Sequence, residues 1–444
     1  MAASPAIIGF GITGQSVARY LLSKGQAPTV LDTRGARTEA VDFDLEYHWD
    51  CATWPERVLG QTSEVFVSPG LPPAHPLLQQ AHEAQLPVYS DIDLFMRAVP
   101  GKVLGVTGTN GKSTVVSLIG HLLNAQGYRC KVGGNLGTPA LDLLNEDADF
   151  YVLELSSFQL AHSGELPFAR ACILNISDDH LDYHGSAEAY CEAKQRVYAA
   201  AKHCVSNRDD PRTRPSGGRE SITFGVGPGI APLDLSLARA DGEDWIVQGE
   251  KMLHAVSRLP VPGRHNAINC MAALAMVQPW FESDRLGEAL MGFAGLPHRF
   301  ALVAERNQVA FINDSKATNV GSTLAALGSL PADNQVVLIV GGDGKGARLD
   351  ALLPAMRGRI HSLVALGKDG EQFRPLAAAL ERPFYDVAAM EAAVERAAAV
   401  APSPGIVLLS PACASTDMFA NFEARGEAFE NAVASLALPA MSGD

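Results

Sequence analysis

Paired cysteines, long apolar runs and an excess of positive charge are all missing from this sequence. The seven cysteines stand at positions 51, 130, 172, 191, 204, 270 and 413, an odd count with no CxxC pair. That spacing suggests neither a disulfide framework nor a structural zinc site, and a reducing, cytoplasmic setting is expected. No apolar stretch approaches the roughly 20 residues needed to cross a bilayer, so no membrane association is expected. The first residues lack a basic segment followed by an apolar core, so no secretory leader is expected either. Lysine and arginine number 35 against 49 acids, a formal net charge of −14. This balance argues against general nucleic-acid binding. It also obliges any phosphate site to gather its own cations or helix N-termini. There are no internal repeats and no low-complexity tracts beyond alanine-rich helices.

What is present is a soluble-enzyme composition: 444 residues, 47% hydrophobic and 19% charged, enough for about two to four domains with sizeable cores. The organising stretch is Gly105-Val106-Thr107-Gly108-Thr109-Asn110-Gly111-Lys112-Ser113-Thr114. The apolar run from Val103 enters it and a helical pattern from Val115 to Leu123 leaves it. A glycine-rich turn between strand and helix aims backbone N–H groups and a helix N-terminus at one point, where phosphate binds. Lys112 adds a point charge, and the Ser113 hydroxyl suits Mg²⁺. The general phosphate-loop pattern wants glycine where Val106 stands, and Gly108 lies inside the loop instead.

Ahead of it, Ala6-Ile7-Ile8 reads as a buried strand. It is followed by Gly9-Phe10-Gly11-Ile12-Thr13-Gly14 and a helical pattern, then the strand Thr29-Val30-Leu31-Asp32. Gly-x-Gly-x-x-Gly with an acid on the next strand is close to the dinucleotide fingerprint. Taken alone it favours an NAD-dependent oxidoreductase, although a nucleotide-sugar diphosphate suits the same physics. Glu64 to Gly70 reads as a strand and turn that offers Ser68 and the backbone at Gly70 to the same crevice, and Val88 to Asp91 as a further strand.

Beyond the phosphate loop, Lys131 to Gly137 reads as a strand and glycine turn presenting Asn135. Asp149 to Ser157 reads as a buried strand that places Glu154 at its C-terminal end. In an open parallel sheet ligands gather at such ends, so Glu154 is a candidate for Mg²⁺. Asn175-Ile176-Ser177-Asp178-Asp179-His180-Leu181-Asp182-Tyr183-His184 crowds acids and imidazoles past another strand. By spacing this is equally a metal or phosphate site and a polar helix start with Ser or Asp as N-cap. Ser186 is a candidate cap for the helix that carries Lys194. Asn266 and Asn269, three apart, place two amides on one helical face. Leu296-Pro297-His298-Arg299-Phe300 reads as a linker into a last region of alternating strands and helices. There Asp314, Lys316, Thr318, Lys345 and Ser415 lie at strand ends.

These segments together resemble the Mur ligases of bacterial peptidoglycan synthesis over the whole chain. The resemblance rests on residues 108–114, 154–160, 175–182, 265–269, 313–319, 341–346 and 409–415. The phosphate-loop form with Val106 is the family's own. The Asp-Asn-Pro-Arg sequence of the diamino-acid-adding ligases is absent, which points to the D-glutamate-adding branch. Folylpolyglutamate synthases share the phosphate loop, but the glycine-rich first domain is not expected in them.

The resemblance implies an α/β chain of three doubly wound domains: a Rossmann-like UDP-binding domain over 1–93, a central P-loop ATPase-like domain over 94–296 and a C-terminal Rossmann-like domain over 297–444. It implies that ATP phosphorylates the carboxylate of UDP-N-acetylmuramoyl-L-alanine and that D-glutamate attacks the acyl phosphate. That is a cell-wall step, and so one tied to cell shape and division. ATP would be held by Gly108, Thr109, Asn110, Gly111, Lys112, Ser113, Thr114, Asn266, Asn269, Arg299 and Asp314. Lys112, His180 and Lys194 would be catalytic. One Mg²⁺ would lie on Ser113 and Glu154, and a second on His180 and Lys194, the lysine being carbamylated. Ile12, Thr13, Asp32, Thr33, Arg34, Ser68 and Gly70 would hold the UDP, and Asn135 the sugar-peptide arm. Thr318, Lys345, Ser415 and Phe422 would position D-glutamate. A monomer with a hinge near Pro297 is expected.

Overall fold

The structure is a computed structural model that describes residues 3–35, 43–135, 137–145, 147–177, 179–261, 263–330 and 335–436. Leu136, Asp178 and Pro262, which belong to the segments above, lie outside the described residues. The chain gathers into two compact units, Met1–Leu259 with Ile268–Phe293, and Pro260–Ala267 with Ala294–Asp444.

The first unit holds two sheets. Strands β1 (Ser4–Ile8), β2 (Thr29–Leu31), β3 (Tyr47–His48), β4 (Thr62–Val67) and β5 (Val88–Tyr89) form one of five strands, ordered β3-β2-β1-β4-β5 and parallel throughout. The chain moves outward from β1 in one direction and then in the other, so a crevice opens at the C-terminal ends of β1 and β4. The glycine turn after β1 and Ser68 after β4 meet there. Gly14 is pinned by sterics, because a β-carbon on it would stand 2.1 Å from Gly9 O.

The second sheet contains β6 (Lys102–Thr107), β7 (Cys130–Gly134), β8 (Phe150–Glu154), β9 (Arg170–Ile173), β10 (Cys204–Asn207), β11 (Ser221–Phe224), β12 (Leu235–Ala240), β13 (Glu243–Gln248) and β14 (Lys251–Ala255). Its order is β14-β13-β12-β11-β10-β9-β6-β8-β7. The central strands β6 and β8 carry continuous buried apolar runs, Val103–Val106 and Phe150–Leu153, as strands covered on both faces do. The helix Lys112–Ala125 follows β6 directly. The last two strands pair antiparallel and extend the sheet. This extension was not legible from strand–helix alternation. Its local signal is Asp241-Gly242, both at positive φ (51° and 78°), the conformation a tight hairpin turn requires.

The second unit is built on β15 (Ala301–Arg306), β16 (Val309–Asn313), β17 (Val336–Gly341), β18 (Ile360–Leu366), β19 (Phe384–Asp386) and β20 (Gly405–Leu409), ordered β15-β16-β20-β17-β18-β19. All pairings are parallel except the β15–β16 hairpin. Strand β20 inserts between β16 and β17, so the loops after these three strands converge. The alternating strands expected over this region are found, with β15 and β19 added at the edges. Two apolar clusters cover the two faces of the sheet.

In the first unit one apolar cluster runs without a break from Ile7, Phe10 and Phe66 through Phe95 to Tyr151, Phe168 and Tyr198. This shared cluster is why the two sheets form one compact body. The helix Asp91–Ala98 enters it behind a capping box of Ser90 and Asp93. Phe168, fully buried, lies against β6 so closely that a β-carbon at Gly105 would stand 3.0 Å from its ring. Truncating it leaves a cavity beneath the strand that feeds the phosphate loop. Phe168→Ala should therefore cost about 3–5 kcal/mol, read by calorimetry as a lowered Tm of the first unit's transition. A shift no larger than that of the exposed-site control Leu22→Ala would contradict the packing.

Candidate functional site: the phosphate loop and the strand ends around it

The turn after β6 is held in shape by the segment after β9. Thr109 N donates to Asn175 O at 2.9 Å. The Asn175 side chain accepts from Asn110 N at 2.8 Å and returns a hydrogen bond to Asn110 O at 3.0 Å. Thr109 Oγ1 is 3.0 Å from the Tyr190 hydroxyl and accepts from Ser177 N at 3.0 Å. Gly111 is the N-cap of the helix and sits at φ +85°, where a β-carbon would stand 2.6 Å from Asn269 Oδ1. Only glycine fits that conformation and that approach. The N-terminus of the helix Lys112–Ala125 therefore opens directly at this turn, an arrangement suited to phosphate.

Two oxygen donors close on this point. Ser113 Oγ donates to Glu154 Oε2 at 2.5 Å, and the other carboxylate oxygen accepts from Asn135 Nδ2 at 2.7 Å. Both Ser113 and Glu154 are buried. A hydroxyl and a carboxylate converging at a phosphate-loop mouth are ligands of the kind Mg²⁺ takes, with phosphate oxygens and water supplying the rest. Among the described residues no group of three or more His, Cys, Asp or Glu side chains is placed to hold a metal. The predicted donors fit a Mg²⁺ site that is completed by the nucleotide.

Lys112 Nζ folds back onto its own loop, 2.9 Å from Gly108 O and 2.8 Å from Thr109 O. Lys194 is 1% exposed, with Nζ 2.9 Å from Gly108 O and 3.4 Å from Thr107 Oγ1. Burial, and next the charge of Lys112, push its pKa well below the usual lysine range, against the opposing pull of Asp179 and Glu154. Lys194 is thus a buried amine biased toward its neutral, nucleophilic form. Its helix Ala187–Gln195 is capped by Ser186, whose Oγ accepts from Ala189 N, as expected. His180, not Ser177 or an aspartate, is the N-cap of Leu181–His184, at φ +53°.

In the first sheet Asp32 is buried. Its carboxylate accepts from Phe10 N at 2.6 Å, from Arg34 N at 2.9 Å and from the Arg34 guanidinium at 2.9 and 2.7 Å. Burial works against its charge, but the Arg34 and Phe10 hydrogen bonds prevail and hold its pKa below the usual carboxylate range. Ser68 Oγ donates to Gly9 O at 2.7 Å across the crevice. Ile12 is largely exposed at 73%, an apolar side chain standing beside the glycine turn. Thr13 lies in the first turn of the helix Ile12–Ser23, and Thr33 and Gly70 in the loops after β2 and β4.

In the second unit Asp314, at the end of β16, accepts from Ser410 Oγ at 2.8 Å and from Phe300 N at 3.2 Å, which brings the segment of Arg299 to it. Burial pushes Asp314 up to about 7, against the Ser410 hydrogen bond. Arg425, 2% exposed, ties two strand-end loops together by donating to Ser315 O, Ser315 Oγ and Cys413 O at 2.7–3.0 Å. Lys316 Nζ lies 3.8 Å from the centre of the Phe422 ring. Lys345 stands at φ +49° with its N–H held by Asp343 Oδ1, and Ser415 is buried in the loop after β20. Thr318 N is held by Lys316 O. Asn266 is buried near the start of the helix Arg264–Val277.

The clasp residues Asn175, Tyr190, Ser410 and Arg425 carry much of this geometry. Asn175 and Ser410 are marked in the sequence only by nearness to strand ends, and Tyr190 and Arg425 lie within helices; the partners Asn110, Thr109, Asp314 and Ser315 are 65 or more residues away and leave no local trace.

Comparison with known proteins agrees with these three sheets. Residues 3–90 match the Mur ligase MurD-like N-terminal domain, 106–277 the Mur ligase middle domain and 298–413 the Mur ligase glutamate ligase domain. UDP-N-acetylmuramoylalanine--D-glutamate ligase from Nitrosococcus oceani is 40% identical over 98% of this chain and 97% of its own.

The chain belongs to the Mur ligase family. The enzyme of the same name from Pseudomonas putida is 42% identical over 97% of both chains. In the solved structures, UDP-N-acetylmuramate-alanine ligase MurC from Thermotoga maritima shares the fold with a TM-score of 0.61 at 19% identity, covering 97% of this chain and 99% of that one. MurF ligase from the same organism, solved in complex with ADP, gives 0.59 at 17%, covering 93% and 96%. The glycine motif of residues 9–14 thus belongs to a Mur ligase N-terminal domain, which displaces the oxidoreductase reading.

Asp314 makes a pH test within the second unit. The folded protein binds this proton more tightly than the unfolded chain, whose ordinary value is 3.8. Its contribution to stability is therefore full below that value and is lost as pH rises through about 7. Asp314→Asn should flatten the decline in stability of the second unit between these values by a few kcal/mol at most, at about 1.4 kcal/mol per unit. The Tm of wild type and variant across that range checks it; parallel curves would contradict the buried-acid assignment.

Proposed function

We propose that this Mur ligase joins D-glutamate to the L-alanine carboxylate of UDP-N-acetylmuramoyl-L-alanine, with ATP cleaved to ADP and phosphate. The observation that carries this is the identity of about 40% over nearly the whole chain to ligases of that name. The −14 charge and the strand-end sites suit it. Anionic substrates are taken where the chain has built local N–H and cationic groups against its own overall field.

The substrate carboxylate oxygen attacks the γ-phosphorus of ATP, the bond to the β-phosphate oxygen breaks, and ADP departs. The D-glutamate amine then attacks the acyl carbon of the acyl phosphate, loses a proton, and phosphate leaves with the amide formed. Loop N–H groups and Lys112 take the charge that develops on the moving phosphoryl group. Ser113 and Glu154 would hold Mg²⁺, which supplies further neutralisation of phosphate charge. Asn135 orients Glu154 through its 2.7 Å hydrogen bond. For a second ion we assign His180 and Lys194. The depressed pKa of Lys194 supports its carbamylation, since only the neutral amine adds CO₂. Asn266, Asn269, Arg299 and Asp314 are assigned to ATP, and Thr318, Lys345, Ser415 and Phe422 to D-glutamate. Ile12, Thr13, Asp32, Thr33, Arg34, Ser68 and Gly70 are assigned to UDP. We assign the three roles to residues 1–93, 94–296 and 297–444 of a cytoplasmic monomer. No helix of the described residues is long and apolar enough to cross a membrane.

Phosphate release from ATP should require UDP-N-acetylmuramoyl-L-alanine and D-glutamate together, with one new amide per phosphate. Release with L-glutamate or a diamino acid in its place would move the enzyme to another branch of the family. A second expectation concerns Lys194. Enzyme stripped of CO₂ at low pH should lose activity and regain it with bicarbonate, whereas Lys194→Arg should stay inactive in both buffers. Bicarbonate-independent activity would remove the carbamate.

A further inference from the structure

The turn after β4 carries Ser68 and Gly70, and its far side is held from the second sheet. The Tyr183 hydroxyl lies 2.9 Å from Pro69 O and 2.9 Å from Leu71 O. His162 Nε2 lies 2.8 Å from Leu71 O and 3.0 Å from the Tyr183 hydroxyl. Facing a carbonyl, Nε2 must carry the ring proton. Burial raises the pKa of Tyr183 beyond the usual phenol range, so its hydroxyl stays protonated and donates.

Both donors are themselves fixed. The Tyr183 ring packs on Phe158 at 4.0 Å between centroids, and Tyr183 N donates to His180 O at 3.1 Å. His162 ends the helix Ser157–His162, which follows Glu154 by a short capped turn. Just past the turn, Pro72 and Pro73 line a cavity of about 460 Å³ together with Tyr183 and His184. The hydrogen bonds to the two carbonyls tie the backbone of the turn to the second sheet. The Leu71 side chain is buried in the first sheet's own cluster, while its carbonyl reaches across to the second sheet.

We propose that Tyr183 and His162 form a latch that holds the Ser68–Leu71 turn in register with the segments of His180 and Glu154, and so positions the nucleotide-sugar substrate, with its reacting carboxylate, relative to the phosphate loop. This rests on the ligase reading for the identity of the substrate. Neither side chain is assigned to substrate, metal or phosphate. The pair acts through the turn backbone, as positioning residues.

The test compares wild type with Tyr183→Phe, His162→Ala and His162→Gln, each checked for an unchanged circular dichroism spectrum and Tm. Losing one or two hydrogen bonds to the turn should raise KM for UDP-N-acetylmuramoyl-L-alanine about five- to thirty-fold in Tyr183→Phe and His162→Ala. KM for ATP and kcat should stay within about twofold, and His162→Gln, which keeps an N–H donor, should recover most of the loss. Titration calorimetry with UDP alone should show its affinity falling by a similar factor in the first two variants. Unchanged KM and unchanged UDP affinity in folded Tyr183→Phe and His162→Ala would overturn the latch, and so would an equal rise in KM for ATP. Wild-type turnover in the same assay separates these results from a failure of the ligase reading. The UDP titration judges the latch whatever amino acid the enzyme adds.

Discussion

The phosphate loop depends on a clasp between two strand ends. A glycine turn has few side-chain contacts of its own to fix its path, so its shape must be imposed from outside. Asn175 does this with three hydrogen bonds, one from its backbone carbonyl and two from its side chain. Thr109 adds its own to Ser177 and Tyr190. Because β9 lies directly beside β6 in the parallel sheet, the segment leaving β9 can reach across the loop's open side. Strand order therefore converts a flexible glycine sequence into a fixed cradle.

The same device recurs in the other two sheets, each time between the ends of neighbouring parallel strands. Ser68 Oγ after β4 holds Gly9 O after β1. Ser410 after β20 holds Asp314 after β16, with Arg425 tying the segments of Ser315 and Cys413 together. In each sheet the two parallel strands at the crevice end in polar loops whose groups would otherwise compete for water. Cross-bonding them leaves rigid edges on which ligand groups are taken up with little reorganisation.

Burial sets the electrostatics of this framework. Lys194 is driven toward neutrality and Asp314 toward its acid form, while Asp32 stays ionised because Arg34 and two backbone N–H groups compensate it. Three buried ionisable groups thus take different states according to the hydrogen bonds that reach each one. Residue type alone does not carry that information: Asp32 and Asp314 both end a strand, yet shift in opposite directions.

Much of the architecture was legible along the chain. Continuous apolar strands, glycine turns and amphipathic helices are local patterns, and so β1, β2, β4 to β9, β16 to β18 and β20, the phosphate loop, the Ser186 cap and the Glu154 strand end are found where periodicity and turn chemistry put them, while the short parallel strands β3, β10, β11 and β19 were not read from the sequence. The antiparallel strands β12 to β14 and the edge strand β15 escaped a strand–helix alternation because hairpins announce themselves only through two-residue turns such as Asp241-Gly242. What tertiary structure alone decided is which strand ends meet. The pairing of Asn175 with Asn110, of Tyr183 with Leu71 and of Arg425 with Ser315 follows from strand order and helix placement, which depend on burying the whole apolar surface at once. The sequence by itself determined which chemistries were available at each strand end. Only the packed fold determined their distances, their partners and their charge.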